Sequence, residues 1–251
     1  MLREFEMGIR EILRRAEERG EVSRGRLYVV ATPIGNLEDI TLRALKVLRE
    51  VDLIAAEDTR HTRKLLERYE IEKRMVSYHE HNERERAERI VEELKSGKNV
   101  ALVSDSGTPA ISDPGYVLIR RCVEEGIDVV PIPGPSAFLA ALSVSGLPVH
   151  RFIFEGFLPY KSGRRRNRLR RLAEEEGTII FYESPHRLSK TLSDMLEILG
   201  NRRVVIAREL TKVHEEIFRG SIREALERFC GGECKGEFTI LVEGKSRRSK
   251  Q

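Results

Sequence analysis

The chain has 251 residues, 40% of them hydrophobic and 34% charged, with a net charge of +4. This composition is typical of a folded globular protein, and no apolar run approaches the roughly 20 residues of a membrane span, so disordered and membrane-spanning classes are excluded. Three cysteines are too few for a disulfide framework and lack the companion ligands of a zinc site, which predicts reduced thiols and a cytoplasmic location.

The chain begins with a charged segment. Apolar side chains recur at helical spacing from Leu2 to Ala16, with glutamate and arginine at most other positions, so residues 1–24 are predicted to be a solvent-exposed N-terminal helical extension. Residues 246–251 are predicted to be a basic tail. The length suggests two domains between these ends, which we place at 25–135 and 136–245.

Short apolar segments alternate with helical patterns in the first domain. Strands are predicted at 27–31, 51–56, 75–78, 100–103 and 128–132, with helices at about 39–49, from 57, at 83–95 and at about 116–125. Asp39 is the expected cap of the first of these helices. The alternation is typical of a mainly parallel sheet, whose strand ends lie along one edge. Each predicted strand is followed by polar or glycine-rich residues, which favours a shared cleft at that edge.

The loop after the fourth strand, Ser104–Gly115, carries the strongest local signal for a site. Gly107 lets a ligand approach the main chain, Pro109 and Pro114 stiffen the loop, and Asp105 offers hydrogen-bonding oxygens. The alternative is an ordinary connection in which Ser112 or Asp113 caps the next helix.

The second domain opens with a small-residue apolar helix, residues 138–147, that we expect to be buried and to end at Pro148. Strands are predicted at 152–156, 178–182, 203–207, 215–220 and 237–243, with helices at 187–199 and 222–229. Their order favours a sheet of mixed direction. The fold class is therefore α/β with two domains.

Seven of the eleven residues from Lys161 to Arg171 are basic. Arginine suits phosphate geometry, so this basic helix predicts contact with nucleic acid through Arg164, Arg165, Arg166 and Arg168. The alternative is a solvated helix face that pairs in part with the glutamates at 174–176.

Several familiar sites are missing from the sequence. It has no phosphate-binding Gly-x-x-x-x-Gly-Lys-Ser/Thr loop, no dinucleotide Gly-x-Gly-x-x-Gly and no His-Glu-x-x-His. His79 and His81 are too closely spaced for a helical metal pair, so we expect no metal.

Six motifs in order resemble a known family. They are Thr-Pro-Ile-Gly-Asn-Leu (32–37), Ala-Glu-Asp-Thr-Arg-His-Thr (56–62), Ser-Asp-Ser-Gly-Thr-Pro (104–109), Pro-Gly-Pro-Ser-Ala (133–137), Phe-Tyr-Glu-Ser-Pro-His-Arg (181–187) and Ala-Arg-Glu-Leu-Thr-Lys (207–212). Together they resemble the tetrapyrrole-methylase-like class, and within it the bacterial enzymes that methylate the ribose 2′-oxygen of a cytidine in small-subunit (16S) ribosomal RNA. The family usually has alanine at the position of Ser106.

The resemblance implies a two-domain tetrapyrrole-methylase-like fold that holds S-adenosylmethionine in the cleft between its halves, and a homodimer. The residues that it implies for the cofactor are Pro33, Ile34, Gly35, Asp105, Gly107, Thr108, Pro109, Ile111, Gly134, Ser136, Ala137, Tyr182, Leu210 and Phe238.

Methyl transfer to a ribose hydroxyl is an in-line displacement that benefits from alignment and from a proton acceptor. Asp58, Glu183 and His186 are the candidate catalytic residues, with His61 as a further candidate acceptor. Arg60, His61, Arg187 and Lys212 are candidate RNA contacts. Each has a structural alternative: Asp58 caps a helix, Glu183 pairs with Arg187, and His186 bonds a backbone carbonyl.

Two other functions stay open at this point. One is methylation of a tetrapyrrole acid, such as a precursor of cobalamin or siroheme, in which the arginines would bind carboxylates. The other is a non-catalytic RNA-binding assembly factor, against which the intact glycines and prolines at the strand ends argue.

Overall fold

The computed structural model describes residues 24–229 and 235–246. They form two compact units: residues up to Pro33 with Asp39–Gly134 in the first, and Ile34–Glu38 with residues from Pro135 onward in the second. The segment Ile34–Glu38, which the sequence analysis assigned to the first domain, thus belongs to the second unit. The predicted extension at 1–24 lies outside the described residues except for Arg24, and so do Cys230, Cys234 and residues 247–251.

The first unit is built on a five-stranded sheet. Its strands are β1 (Leu27–Val30), β2 (Leu53–Ala56), β3 (Met75–Ser77), β4 (Val100–Val103) and β5 (Val129–Ile132), and its helices are α1 (Leu42–Glu50), α2 (Thr59–Arg68), α3 (Glu83–Lys95) and α4 (Tyr116–Glu124). The order is β3-β2-β4-β1-β5, and all neighbouring pairs run parallel. The predicted parallel sheet is confirmed, and its five carboxyl ends lie along one edge.

Burial of the sheet on both faces explains its sequence. Every residue of β2 and β4 is buried. Ile54 and Ala101 pack into one apolar cluster with α1 and α2, while Leu53 and Leu102 pack into another with α3 and α4. Because successive side chains of a strand point to opposite faces, both faces require apolar residues, and the strands read as continuous apolar runs.

The start of α1 differs from the prediction. Leu37–Asp39 form a short 3-10 turn, and α1 begins at Leu42 with Thr41, not Asp39, as its cap: the Thr41 hydroxyl accepts a hydrogen bond from the amide of Ala44 at 3.1 Å. Leu42, the first residue of α1, is 86% exposed although it is apolar. A helical side chain covers the turn that precedes it, and Leu42 has no earlier turn of α1 beneath it.

The second unit contains a sheet of mixed direction, as predicted. Its strands are β6 (Phe152–Phe157), β7 (Thr178–Glu183), β8 (Arg203–Arg208), β9 (Glu216–Ser221) and β10 (Phe238–Val242), and its helices are α5 (Ala137–Ser145), α6 (Ser162–Leu172), α7 (Pro185–Leu199) and α8 (Ile222–Phe229). The order is β6-β7-β10-β8-β9; β6 and β7 are parallel, and the other neighbours are antiparallel.

Helix α5 is less buried than its apolar sequence suggests. Ala141 and Leu142 are buried, but Leu139 and Val144 are about half exposed. The helix ends at Ser145, where Gly146 adopts a left-handed conformation with φ of 72°, rather than at Pro148. Glycine terminates it because a residue without a Cβ tolerates that conformation.

Candidate functional site

The loops after β1 and β4 are fastened to each other. Thr32 and Gly107 exchange main-chain hydrogen bonds of 2.8 and 3.1 Å, and the Thr32 hydroxyl donates to the carbonyl of Ser104 at 3.1 Å. Gly107 has φ of 84°, a conformation that favours glycine. The pairing holds the predicted ligand loop in a defined position at the carboxyl edge of the sheet.

The rest of this loop has an unusual backbone. Ala110 and Ser112 have φ of 69° and 66°, left-handed values that are uncommon outside glycine. Such strain clusters at ligand-binding and catalytic segments, where neighbouring structure maintains it. Gly115 is the N-cap of α4, so neither Ser112 nor Asp113 caps that helix, and the alternative of a plain capping loop is wrong.

Carboxylates from the loops after β2 and β4 gather at the same edge. The amide of Asp58 donates to the Asp105 carboxylate at 3.0 Å, and the amide of Asp105 donates to the Glu57 carboxylate at 3.2 Å. Burial raises the pKa of Glu57, and the negative charges of Asp105 and Asp58 add to that rise. This part of the first unit has a negative potential that suits a cationic ligand.

Asp113 belongs to the same acidic group. Burial, followed by the charge of Glu57, raises its pKa to about 7 despite a hydrogen bond with Ser104. Close to neutral pH, this carboxyl is therefore protonated in a substantial fraction of molecules. The sequence predicts Asp113 as a hydrogen-bonding residue of the loop or as a possible cap, but not its raised pKa, since burial beside two other carboxyls is not visible in a sequence.

Asp58 is both a helix cap and an ion-pair partner. Its carboxylate accepts hydrogen bonds from the Arg60 amide at 2.8 Å and from the Arg60 guanidinium at 2.7 and 3.1 Å. These bonds hold the pKa of Asp58 well below its usual range. The structural alternative for Asp58, capping of α2, is confirmed. His61, in the first turn of α2, is exposed.

The candidate cofactor residues of the second unit lie close together. Ile34 and Leu210 pack in one apolar cluster, with Ala137 against it. A Cβ on Gly35 would lie 2.9 Å from the Leu210 carbonyl oxygen, so only glycine fits there. The Tyr182 hydroxyl accepts a hydrogen bond from the amide of Phe138 at 3.3 Å, beside Ser136 and Ala137.

Phe238 points away from this group. Its side chain packs in the opposite apolar cluster, among residues from α6, α7 and α8. The next residue, Thr239, is buried and lies opposite Tyr182 and Ala207 in the sheet, on the face that carries Ile34 and Leu210. Thr239 was not among the predicted site residues, although the two-residue alternation along the last strand places it on the other face from Phe238.

Glu183 lies at the end of β7 and is buried. One carboxylate oxygen accepts from the Ser184 amide at 2.8 Å and lies 3.3 Å from the Arg187 guanidinium; the other accepts from the Thr191 hydroxyl at 2.6 Å. The predicted alternative, pairing of Glu183 with Arg187 within one turn, is confirmed. His186 stands between them in sequence, and its side chain is exposed.

Lys212 is engaged within its own unit. Its ammonium group donates to Glu209 at 2.9 Å and to Glu237 at 3.1 Å. Thr211 beside it has φ of 66°, and its hydroxyl accepts from the Asn36 amide at 3.0 Å. The loop that contains Thr211 and Lys212 is therefore held in place next to Gly35, and the Lys212 side chain does not extend into solvent as an unpaired charge.

The arginines of α6 divide into two classes. Arg165 is buried and pairs with Asp194 at 2.7 Å, Arg166 pairs with Asp194 and Glu197, and Arg168 pairs with Glu155. Their acidic partners are not the glutamates at 174–176 that the sequence suggested. Among the described residues, Arg164 and Arg171 have no hydrogen-bond or ion-pair partner, so these two charges are available to an anion.

Searches for a metal site and a membrane span give no candidate among residues 24–229 and 235–246. In this part of the chain, no three His, Cys, Asp or Glu side chains gather as metal ligands would. The rings of His79 and His81 are 6.0 Å apart, and the amide side chain of Asn82 bonds His79. None of the helices in this part combines the length and apolar character of a membrane span.

Comparison with known proteins places this geometry in a family. A sequence profile of the tetrapyrrole (corrin/porphyrin) methylases matches residues 26–226. The chain is 55% identical over 221 residues to ribosomal RNA small subunit methyltransferase I of Thermotoga maritima, covering 88% of this chain and 99% of that protein. The chain belongs to this family. It is therefore an enzyme, a methyltransferase that depends on S-adenosylmethionine.

Further similarities agree with this membership. The ribosomal RNA small subunit methyltransferase I of Halalkalibacterium halodurans is 53% identical over 225 residues, which cover 90% of this chain and 78% of that relative. The crystal structure of the methyltransferase CobJ superposes with a TM-score of 0.68 at 21% identity, covering 90% of this chain and 97% of that one. The second similarity shows the tetrapyrrole methylase fold alone.

Proposed function

We propose that the protein transfers the methyl group of S-adenosylmethionine to the ribose 2′-hydroxyl of a cytidine in small-subunit (16S) ribosomal RNA. The observation that carries this proposal is the identity of 53–55% over about nine-tenths of the chain to proteins named for that RNA. The ribose position and the cytidine come from the resemblance of the six motifs. The same resemblance supports a cytoplasmic homodimer.

The side chains of each unit fit the cofactor chemically. S-adenosylmethionine supplies a methyl group on a positively charged sulfur, together with an adenine and an amino-acid group. Glu57 and Asp105 provide the negative potential that a cation prefers, and Ile34, Leu210 and Ala137 provide apolar surface for a planar base. We assign the cofactor to the candidate residues named above, with Phe238 contributing only main chain and Thr239 a side chain.

The protein must hold the ribose hydroxyl in line with the methyl group and must accept the proton of that hydroxyl. The new O–C bond forms as the C–S bond breaks, and alignment supplies most of the acceleration. Of the candidate acceptors, His186 is exposed on the first turn of α7 and its ring has no hydrogen-bond partner in the described part of the chain, whereas Asp58 already accepts three hydrogen bonds. We assign proton acceptance to His186 and treat Asp58 as the second candidate.

Glu183 has a positioning role in this proposal. Its buried carboxylate is engaged by Ser184, Thr191 and Arg187 and has no open face toward solvent. It acts by orienting Arg187, whose guanidinium holds the Leu158 carbonyl at 2.5 Å. RNA contacts are assigned first to Arg164 and Arg171, then to Arg60, His61 and Lys212; Arg165, Arg166 and Arg168 support the helix instead.

The test measures incorporation of labelled methyl groups into three acceptors: small ribosomal subunits, naked small-subunit RNA and a tetrapyrrole acid. Ribose 2′-O-methylation blocks alkaline cleavage of the adjacent phosphodiester, so the label should appear in an alkali-resistant dinucleotide that contains cytidine. Loss of this label in the His186→Ala variant, with unchanged cofactor binding, would support the assignment. Label only in the tetrapyrrole would refute the proposed substrate.

A further inference from the structure

The connection between β6 and α6 presents two aromatic rings to solvent. Phe157 is the last residue of β6 and is 54% exposed, and Tyr160, in the connection, is 81% exposed. Phe157 rests at one edge on Tyr182, with ring centroids 5.7 Å apart. Large aromatic side chains are rarely left so open in a chain that has a core to fill, and they favour a binding surface.

Two arginines, Arg165 which is buried and Arg187 which is largely buried, hold this connection from beneath. The Arg187 guanidinium donates to the carbonyls of Leu158 at 2.5 Å and Pro159 at 3.5 Å, and Arg165 donates to the carbonyl of Tyr160 at 3.4 Å. Glu183 and Asp194 hold these two arginines in turn. Because three successive carbonyls are bonded, the backbone is fixed while the rings stay outside, and little ordering is needed when a ligand binds.

Unpaired positive charge surrounds the rings. Lys161 follows Tyr160 directly and Arg164 lies three residues further on; both are exposed, and neither side chain has a hydrogen-bond or ion-pair partner among the described residues. The Arg187 guanidinium carbon lies 5.7 Å from the centroid of the Tyr160 ring. Exposed aromatic rings beside free cations are typical of surfaces that stack unpaired nucleotides and hold their phosphates. A second protein surface that covered the rings would bury the charges of Lys161 and Arg164 in an interface, and their desolvation would oppose binding.

We propose that Phe157 and Tyr160 stack on unpaired bases of the RNA substrate, while Lys161 and Arg164 hold the adjoining phosphates. The inference rests on the proposed function and adds the part of the substrate that is recognised: a single-stranded stretch rather than a duplex. Stacking tolerates any base, so these residues position the RNA without selecting the cytidine.

The chain contains no tryptophan, which permits a direct test. A Tyr160→Trp variant carries one fluorophore at the proposed stacking position, and a Val123→Trp variant carries one at an exposed apolar position of α4 in the first unit. We expect oligocytidylate to quench the Tyr160→Trp emission strongly, and an abasic oligomer of equal charge to quench it weakly. Neither should affect Val123→Trp. Equal quenching by both oligomers, or none, would overturn the proposal.

Steady-state kinetics provide a second test. Tyr160→Leu and Phe157→Leu should each raise the KM for the small subunit about tenfold, with the KM for S-adenosylmethionine unchanged, whereas Tyr160→Phe should behave like wild type because it keeps the ring. Unchanged subunit KM values in both leucine variants would refute stacking even if methylation of RNA is established. Base-dependent quenching without any RNA methylation would instead contradict the proposed function and leave the stacking surface standing.

Association of two copies is the competing use of this surface. A blue shift of the Tyr160→Trp emission that grows with protein concentration, in the absence of RNA, would show that a second chain covers the ring. That result would overturn the proposal.

Discussion

The main-chain amide of Asp58 donates a hydrogen bond of 3.0 Å to the Asp105 carboxylate, which fastens the end of β2 to the end of β4. The amide of Asp105 returns a bond to Glu57 at 3.2 Å. Asp105 thus accepts a hydrogen bond that stabilises the fold, and it also places a negative charge at the site. Substitutions can separate the first effect, on stability, from the second, on cofactor affinity.

We expect Asp105→Asn to keep the bond to Asp58 through its amide oxygen while it removes the charge. The unfolding temperature should stay close to that of wild type, and the affinity for the cationic cofactor should fall about tenfold, as a charge-assisted contact is lost. Asp105→Ala should in addition lower the free energy of unfolding by about 1–3 kcal/mol, because the Asp58 amide is left without its partner. Calorimetric titration with cofactor and thermal unfolding measure the two effects. Equal cofactor affinity in wild type and Asp105→Asn would rule out an electrostatic role.

Asp113 should make stability depend on pH. Its pKa is about 7 in the folded protein against an ordinary value of 3.8, so the folded state holds this proton more tightly than the unfolded state does. The contribution is therefore fully present below about pH 4 and is lost as the pH rises through about 7. Asp113→Asn has no proton to lose, so its unfolding temperature should increasingly exceed that of wild type between these values and then exceed it by a constant amount.

The control for this prediction is Asp128→Asn, which changes an exposed carboxyl at the opposite edge of the sheet; among the described residues, Asp128 pairs with exposed Arg26 at 3.3 Å. Asp128→Asn makes the same chemical change at an exposed position, so comparison of the two variants isolates the pH dependence that the acidic group at the site contributes. If the two asparagine variants follow the same pH curve, the acidic group at the site does not titrate as described.

Gly35 tolerates no side chain. A Cβ there would lie 2.5 Å from Lys212 Cγ, 2.7 Å from Thr211 Oγ1 and 2.9 Å from the Leu210 carbonyl oxygen. Gly35→Ala should therefore cost about 1–3 kcal/mol of stability and weaken cofactor binding, since the backbone of the loop must move. Gly163→Ala is the matched control, because nothing lies within 4 Å of its Cβ; it should be stabilising by about 0.5–1 kcal/mol in helix α6. Intact cofactor affinity in Gly35→Ala would separate this loop from the site.

Glu183 should behave as a structural carboxylate. Removing it by Glu183→Ala leaves the Arg187 charge buried without its partner and should cost about 3–5 kcal/mol of stability. Glu183→Gln keeps one oxygen that accepts from the Ser184 amide, and its amide nitrogen can donate to the Thr191 hydroxyl, so we expect a smaller loss of stability, a raised KM for RNA and an unchanged pH profile of kcat. Thr191→Val, which removes the donor at 2.6 Å, should lower stability in the same way. A collapse of kcat in Glu183→Gln with normal stability and KM would identify a proton acceptor instead.

Two neighbouring arginines of α6 should give opposite results. Arg164→Ala should weaken RNA binding and reduce the slope of log affinity against log salt by roughly 0.7–0.9, the value for one lost phosphate contact, without changing stability. Arg165→Ala should destabilise the protein by several kcal/mol and barely change the salt slope, because the Arg165 charge is paired with Asp194 in the interior. Filter binding at several salt concentrations and thermal unfolding distinguish them.

Strands were easier to predict than helix ends. Residues 100–103 are apolar because both faces of the sheet are covered, and no competing structure explains four such residues before a polar loop. The start of a helix depends on which of several nearby polar side chains accepts a hydrogen bond from a free backbone amide. For α1 it is the side chain of Thr41, because Asp39 is part of the preceding 3-10 turn. Residues 34–38 joined the wrong domain because grouping by sequence follows the chain, whereas Ile34 packs with strands far from it in sequence.

The candidate site was predicted at the level of loops rather than side chains. Motifs located Ile34, Gly35 and Leu210 correctly near one another, because glycine and small apolar residues there serve main-chain geometry. They could not show that Arg165 is buried against Asp194 while Arg164 is free, since adjacent residues of a helix differ by about 100° in direction and the partner is 29 residues away. The face on which Phe238 and Thr239 each lie could not be predicted for a similar reason, as only the pairing of β10 reveals which of them faces Ile34.

Because residues 34–38 belong to the second unit, the chain cannot be cut at residue 135 into two complete folding units. A fragment that starts at Pro135 lacks Ile34, the neighbour of Leu210, and lacks the Asn36 amide that bonds Thr211. Separate expression of the second half would leave an apolar gap and an unsupported loop. A single proteolytic cleavage near residue 135 should instead give two fragments that copurify. The N-terminal fragment carries residues 34–38, which complete the packing of the C-terminal fragment. This makes the protein a natural candidate for split-reporter complementation, with reassembly read out as recovered methyl transfer.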